Sequence, residues 1–262
     1  MINLDLSGKR AVVTGASAGI GAAAVRALAD QGAHVFFCAR NAENVAELAA
    51  YKPPGGGGSV SGFAADMGDG AAVEGFLDSV LAEGPIDILV NNVGASPSRN
   101  FLYMSDDDWS SLFELNLMSA VRCTRRLLPG MRSQKWGRVV MISSGAALYP
   151  GAALIDYAAT KAAMVATGKA LARKYGADGV LVNSVLPGLI HTSMWERAAG
   201  EVAQANKTTS EAVLAANARS VPVGRYGTAE EVAALIVFLC SEAASYINGA
   251  AIAVDGGQGG HV

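Results

Sequence analysis

The sequence predicts an α/β fold, a single doubly wound domain built on a parallel sheet of about seven strands. Three observations predict it. Short apolar, β-branched runs alternate with longer stretches of helical spacing. The short runs are apolar throughout, as strands buried on both faces are. The alternation also continues from residue 8 to the end without a linker, so one domain is expected over 1–262.

Residues 11–14 read as the first strand. Ala, Val and Leu recur at helical spacing over 19–31, and Gly32 ends that helix. Residues 34–38 read as the second strand and 44–51 as a short helix. The third strand is expected over 59–64, followed by a helix over 71–83. The fourth strand is expected over 86–91, followed by one long helix over 106–131. Residues 138–142 read as strand five, 155–175 as a long helix and 180–186 as strand six. A helix over 228–241 and a short strand over 251–254 close the pattern.

Two stretches break the rhythm. Residues 53–58, Pro-Pro-Gly-Gly-Gly-Gly, fit neither a helix nor a strand interior and read as a surface connection. No strand runs directly into them, which argues against a phosphate cradle there. Residues 188–226 are long and mixed in composition, and a lid or substrate loop is expected.

Composition excludes several classes. The chain has 20 Lys+Arg against 23 Asp+Glu, a net charge of −3, and 51% hydrophobic residues. There is no basic excess for nucleic acid, and too much apolar content for disorder. No run approaches the ~18–20 apolar residues of a membrane span, and the charged N-terminal segment lacks the apolar core of a signal peptide. Cys38, Cys123 and Cys240 lie far apart in apolar runs and read as buried thiols in a reducing compartment. A cytoplasmic location is therefore expected. No metal is expected either: His34, His191 and His261 share no ligand spacing. Asp106-Asp107-Asp108 follows Ser105 and reads as a capped first helical turn.

The segment Thr14-Gly15-Ala16-Ser17-Ala18-Gly19-Ile20-Gly21 joins the first strand to a helix. Glycines there let the backbone turn tightly and approach a pyrophosphate at the helix N-terminus. Asp66 follows the third strand, where a carboxylate can accept from an adenine amino group. Asn91-Asn92-Val93-Gly94 closes the fourth strand at the carboxyl edge of the sheet. After the second strand stand neutral Ala39 and basic Arg40, where an NAD enzyme carries an acid. A guanidinium suits a 2′-phosphate, so NADP(H) is favoured, with NAD(H) as the alternative.

Ser144 ends the fifth strand, and Tyr157 follows thirteen residues later in Tyr157-Ala158-Ala159-Thr160-Lys161. Tyr157 and Lys161 share one helix face. A free tyrosine, with a pKa near 10, is a poor base at neutral pH, and a nearby ammonium favours its phenolate. Tyr157 can then move a proton to or from a substrate oxygen to which Ser144 donates a hydrogen bond. Asn116 sits in mid-helix, an unfavourable place for asparagine that a functional role would explain.

Together these elements resemble the classical short-chain dehydrogenase/reductase family, a Rossmann-fold family, over essentially the whole chain. The matching residues are Thr14–Gly21, Asp66, Asn91–Gly94, Asn116, Ser144, Tyr157 with Lys161, Pro187-Gly188 and Asp255-Gly256-Gly257. The resemblance implies a catalytic tetrad of Asn116, Ser144, Tyr157 and Lys161. In it Tyr157 is the acid/base and Lys161 lowers its pKa and binds the nicotinamide ribose. Ser144 positions the carbonyl, and Asn116 holds a relay water. It implies cofactor contacts from Gly15, Ser17, Ala18, Gly19, Ile20, Gly21, Arg40, Asp66, Met67, Asn92, Gly94, Tyr157, Lys161, Pro187, Gly188, Ile190 and Thr192. Two positions depart from the family pattern: Val93 replaces a common alanine, and Ala18 stands where NADP-preferring members often carry a basic residue. Ala146, Leu154, Met194 and Trp195 are the expected substrate contacts, with Asp156 and His191 as polar candidates. The expected reaction interconverts a ketone, aldehyde or 3-oxoacyl-type carbonyl with its alcohol. The expected assembly is a homotetramer or homodimer. The competing reading is a non-catalytic nucleotide-binding or scaffolding relative; the complete tetrad favours catalysis.

Overall fold

The computed structural model describes residues 2–259. The strands are β1 (Arg10–Thr14), β2 (His34–Ala39), β3 (Ser59–Ala64), β4 (Ile88–Asn91), β5 (Gly137–Ile142), β6 (Val180–Pro187) and β7 (Ala251–Val254). They form one seven-stranded sheet in the order β3-β2-β1-β4-β5-β6-β7. Every neighbouring pair is parallel. The helices are α1 (Gly19–Asp30), α2 (Ala42–Ala49), α3 (Gly70–Ala82), α4 (Asp106–Phe113), α5 (Ser119–Ser133), α6 (Ile155–Tyr175), α7 (Ser193–Ala205), α8 (Ser210–Arg219) and α9 (Ala229–Cys240).

The strands are apolar throughout because both faces are covered. Ala11 and Val13 of β1, Ile88 and Val90 of β4, and Val140 and Ile142 of β5 enter one core with α1 and α9. The alternate residues Val12, Leu89, Val139 and Met141 enter a second core with α3, α5 and α6. Each fully buried Val, Leu or Ile contributes about 1.5–3 kcal/mol, so both layers hold the sheet. The chain leaves β1 towards β2 on one side, while β4 lies on the other. The crevice at the carboxyl ends of β1 and β4 is thus the switch point where doubly wound sheets bind ligands.

Several elements differ from expectation, among them α2, which starts two residues early because the Asn41 side chain caps it by accepting from the Asn44 N–H. Strand β4 starts at Ile88, because Asp87 turns its carboxylate to the Arg10 backbone N–H at 2.9 Å. The single helix expected over 106–131 is interrupted by a π turn, Glu114–Met118, where the Ser119 N–H reaches back five residues to the Glu114 carbonyl. Residues 188–226 hold two helices, α7 and α8, the latter started by Thr209, whose side chain accepts from the Ala212 N–H. The Ser105 cap is as expected: Ser105 and Asp108 satisfy each other's backbone N–H in a capping box.

Candidate functional site

A cleft of about 390 Å³ opens at the switch point, within the size range of small-molecule sites. Its floor is the turn between β1 and α1. Gly15 holds φ +68°, and a Cβ there would lie 2.7 Å from Val93, so this bend requires glycine. At Gly21 a Cβ would lie 2.5 Å from the Asn92 side chain and 2.6 Å from the Gly15 carbonyl, so α1 packs against the turn without room for a methyl group. Asn92 locks the arrangement: its Nδ2 donates to the Thr14 carbonyl at 3.0 Å and the Gly15 carbonyl at 2.9 Å. The Thr14 hydroxyl oxygen accepts from the N–H groups of Asn92 and Val93.

The N-terminus of α1 has no side-chain cap and no acid in its first turn. Its free N–H groups and dipole therefore face the cleft ready for an anion. Arg40 lines the wall at the end of β2, and Asp66 lines it at the end of β3. Thr192 lies over Gly19, its Cγ2 3.1 Å from where a Cβ on that glycine would be.

The opposite wall carries Ser144, Leu154, Tyr157 and Lys161. Lys161 is one helical turn after Tyr157, 3% exposed, with its Nζ 5.7 Å from the Tyr157 ring centre. The Lys161 ammonium donates to the Ile142 carbonyl at 2.9 Å. Ser143 also ties β5 to α6, its hydroxyl donating to the Lys161 carbonyl at 2.8 Å. Ser144 stands in extended backbone, and its Oγ accepts from the Ala146 N–H. Behind the wall Asn116 is 0% exposed. Its amide donates to the Ala95 carbonyl and the Thr160 hydroxyl, and its Oδ1 accepts from the Ala95 N–H. The π turn resolves the anomaly of an asparagine in mid-helix, a local distortion typical of functional sites.

Burial pushes the Tyr157 phenol above its ordinary value, and a hydrogen bond with Ser144 opposes that rise. Burial alone brings Lys161 down to about 8. The net shift on Tyr157 is thus upward, against the expected lowering by Lys161, because desolvation acts on both groups.

The cleft wall brings together Gly15, Ser17, Ala18, Gly19, Ile20, Gly21, Arg40, Asp66, Met67, Asn92, Gly94, Pro187, Gly188, Ile190 and Thr192 with the Ser144–Tyr157–Lys161 group. Of the expected substrate contacts, Leu154 and Trp195 line it. Ala146 does not, since the short turn Gly145–Ala147 spends its N–H on Ser144. The Met194 side chain lies outside the described residues, as does His261. Asp156 is not a polar contact for substrate: it is 0% exposed and paired to Arg99 at 3.1 Å. His191 lies outside the cleft wall, its Nε2 3.8 Å from the Glu196 carboxylate and its ring edge-on to Tyr226. Ala95 and Ser96, which follow the Asn-Asn-Val-Gly motif, also line the cleft, and so do two residues that were not expected there, Ala65 just before Asp66 and Leu115 in the π turn. Among the described residues no His/Cys/Asp/Glu group could hold a metal. No helix there is long and apolar enough to cross a membrane. All three cysteines are buried and free, with thiols pushed far above their usual range by burial, Cys38 to about 12.

The chain is similar to known proteins over nearly its whole length. A family model described as enoyl-(acyl carrier protein) reductase matches residues 15–258. The chain is 39% identical over 264 residues to the uncharacterized oxidoreductase YvrD of Bacillus subtilis, covering 98% of each chain. It is 34% identical to the 3-oxoacyl-[acyl-carrier-protein] reductase FabG of Salmonella typhimurium, covering 97% of this chain and 99% of that one. Among solved structures, L-sorbose reductase of Gluconobacter frateurii, complexed with NADPH and L-sorbose, superposes with a TM-score of 0.95. The two share 36% identity over 99% of this chain and 100% of the other.

Proposed function

The chain belongs to the short-chain dehydrogenase/reductase family and is an oxidoreductase acting on carbonyl or alcohol groups, and from that premise we propose that it is an NADPH-dependent ketoreductase with Tyr157 as its acid/base. The observation that carries this reading is the convergence of two half-sites on one cleft. The uncapped α1 N-terminus with Arg40 forms one half, and the hydrogen-bonded Ser144–Tyr157 pair above Lys161 forms the other.

The residues present fit a dinucleotide carrying a 2′-phosphate. The α1 N–H groups would take the pyrophosphate, and Asp66 the adenine amino group. Arg40 would take the 2′-phosphate, and neutral Ala39 stands just before it, where an NAD enzyme carries an acid. Lys161 and Tyr157 would hold the nicotinamide ribose, and Thr192, which lies over Gly19, would contact the nicotinamide amide. A nicotinamide held there would supply the hydride that the carbonyl carbon accepts. Ser144 donates a hydrogen bond to the carbonyl oxygen and fixes its position. Tyr157 gives its phenolic proton to that oxygen as the alcohol forms, and a buried, neutral phenol suits this direction. Lys161, charged below about pH 8, favours the phenolate left behind. Asn116 holds the Ala95 segment against Thr160 at the inner end of this path.

The substrate class we propose is a ketone, aldehyde or 3-oxoacyl-type carbonyl, taken between Leu154 and Trp195. The activity belongs to one domain spanning the chain, with 188–226 as its lid, in a cytoplasmic enzyme. We also propose a homotetramer or homodimer paired through α5 and α6, between which an apolar groove is lined by Ala120, Val121, Leu128, Met164 and Leu171. Light scattering would show a mass of one chain if that pairing is wrong.

The test of function is NADPH oxidation with two probes, a 3-oxoacyl thioester and L-sorbose. Turnover of either, faster with NADPH than with NADH, supports the reading. NADPH binding without turnover of either probe favours a non-catalytic nucleotide-binding relative.

A further inference from the structure

Asp156 is the residue immediately before Tyr157 and lies in the first turn of α6. Its side chain is wholly buried, yet it has no place in the proton transfer described above. Its Oδ2 accepts from the Arg99 guanidinium at 3.1 Å, and its Oδ1 accepts from the Tyr157 backbone N–H at 2.8 Å. That N–H is one of the donors a helix start leaves without a partner. Arg99 sits on the segment between β4 and α4, 57 residues away in sequence. It also donates to the Asp108 carbonyl at 3.3 Å and faces the Asp108 carboxylate at 3.3 Å. Asp108 in turn completes the capping box of α4. One guanidinium therefore fastens three pieces together: the segment carrying Gly94, Ala95 and Ser96, the start of α4, and the turn that bears Tyr157.

We propose that Arg99 and Asp156 are a positioning pair that sets where the Tyr157 hydroxyl stands in the cleft. Lys161 is anchored from the β5 side through the Ile142 carbonyl. Tyr157 lies one turn nearer the helix start, where helices fray, and the Asp156 carboxylate bonds its N–H there. A carboxylate at zero exposure keeps its place only with a charged partner, and Arg99 is that partner. Without Arg99 the carboxylate must draw in water or turn outward, and the Tyr157 N–H loses its acceptor. A displacement of about 1 Å at an acid/base group costs up to roughly 100-fold in rate.

This inference rests on Tyr157 being the acid/base. The test uses Arg99→Gln, Arg99→Lys and Asp156→Asn in the full chain, with NADPH and the better of the two carbonyl probes. Arg99→Gln should lower kcat about 10- to 100-fold. The dissociation constant for NADPH and the KM for the probe should stay within about twofold, since uniform binding is untouched. The solvent deuterium isotope effect on kcat should rise, because proton transfer from a displaced Tyr157 limits the rate. Arg99→Lys should recover part of the loss. The Arg99→Gln/Asp156→Asn double variant should be no slower than the slower single, as expected of a unit. If Asp156→Asn does not fold, the partly exposed Arg99 variants decide alone. An unchanged kcat per folded site with an unchanged isotope effect in Arg99→Gln overturns the proposal, whatever happens to Tm. Amide exchange of the protein alone gives an independent reading: Arg99→Gln should speed exchange over 155–158, and unchanged exchange there overturns the pair. A wild-type protein inert to both probes counts against the ketoreductase reading, and the exchange measurement still decides whether the pair holds the Tyr157 turn.

Discussion

Asn116 and Ala95 hold each other through two hydrogen bonds: the Ala95 N–H donates to Asn116 Oδ1 at 2.8 Å, and Asn116 Nδ2 donates to the Ala95 carbonyl at 2.9 Å. The same amide donates to the Thr160 hydroxyl, which in turn donates to the Tyr157 carbonyl at 2.7 Å. A side chain from the π turn thus connects the segment after β4 to the helix of Tyr157.

Asn116→Ala should therefore damage both fold and rate. It leaves the Ala95 N–H and carbonyl without partners, and at this half-buried residue each orphan costs about 1–2 kcal/mol, the low end of the usual range. A loss of about 2–4 kcal/mol is expected, read as a drop in Tm of roughly 4–16 °C. A variant as stable as the parent would mean that water replaces the amide without cost.

Much of this was legible in the sequence, for physical reasons that differ by element. The parallel strands are visible because burial on both faces leaves runs such as Ile88–Asn91 almost wholly apolar. The glycine turn and the Tyr157–Lys161 pair are visible because their chemistry is local, within about two helical turns of chain. The π turn at Asn116 is hidden, because one extra residue in a turn barely disturbs the apolar spacing on either side. Helices α7 and α8 are hidden by their weakly apolar, partly exposed faces, although Thr209 before Ala212 is a legible cap. The Arg99–Asp156 contact lies beyond local reading, since only the sheet topology brings the ends of β4 and β5 side by side.

Arg40→Asp should reverse the cofactor ratio. Charge-assisted hydrogen bonds contribute about 1.5–3 kcal/mol, so NADPH binding should weaken roughly 10- to 100-fold. NADH binding should hold or tighten. Fluorescence titration of both nicotinamides measures this, and an unchanged ratio would mean that Arg40 does not meet the 2′-phosphate.

Lys161 gives the enzyme a pH limb with a defined sign. Burial lowers it to about 8 from an ordinary 10.5. Below about 8 its ammonium is charged beside Tyr157 and supports reduction. The reductive kcat should fall as pH rises through that value. The stability contribution of this group runs the other way. Between about 8 and 10.5 the unfolded chain binds a proton that the folded one has lost, so stability from Lys161 increases with pH across that window. Denaturant unfolding of the parent and Lys161→Met across this window should show the extra positive slope in the parent only. A reductive rate flat to pH 10 would contradict the assignment.

Whether Tyr157 delivers the proton is decided by Tyr157→Phe, with NADPH binding and NADPH oxidation measured on the same preparation. The variant keeps the buried ring and loses the hydroxyl. Reduction should fall by about 10²–10⁴-fold, the usual contribution of a general acid, while NADPH binds nearly as tightly as to the parent. A Tyr157→Phe enzyme that reduces the probe at the parent rate would contradict the claim that Tyr157 delivers the proton.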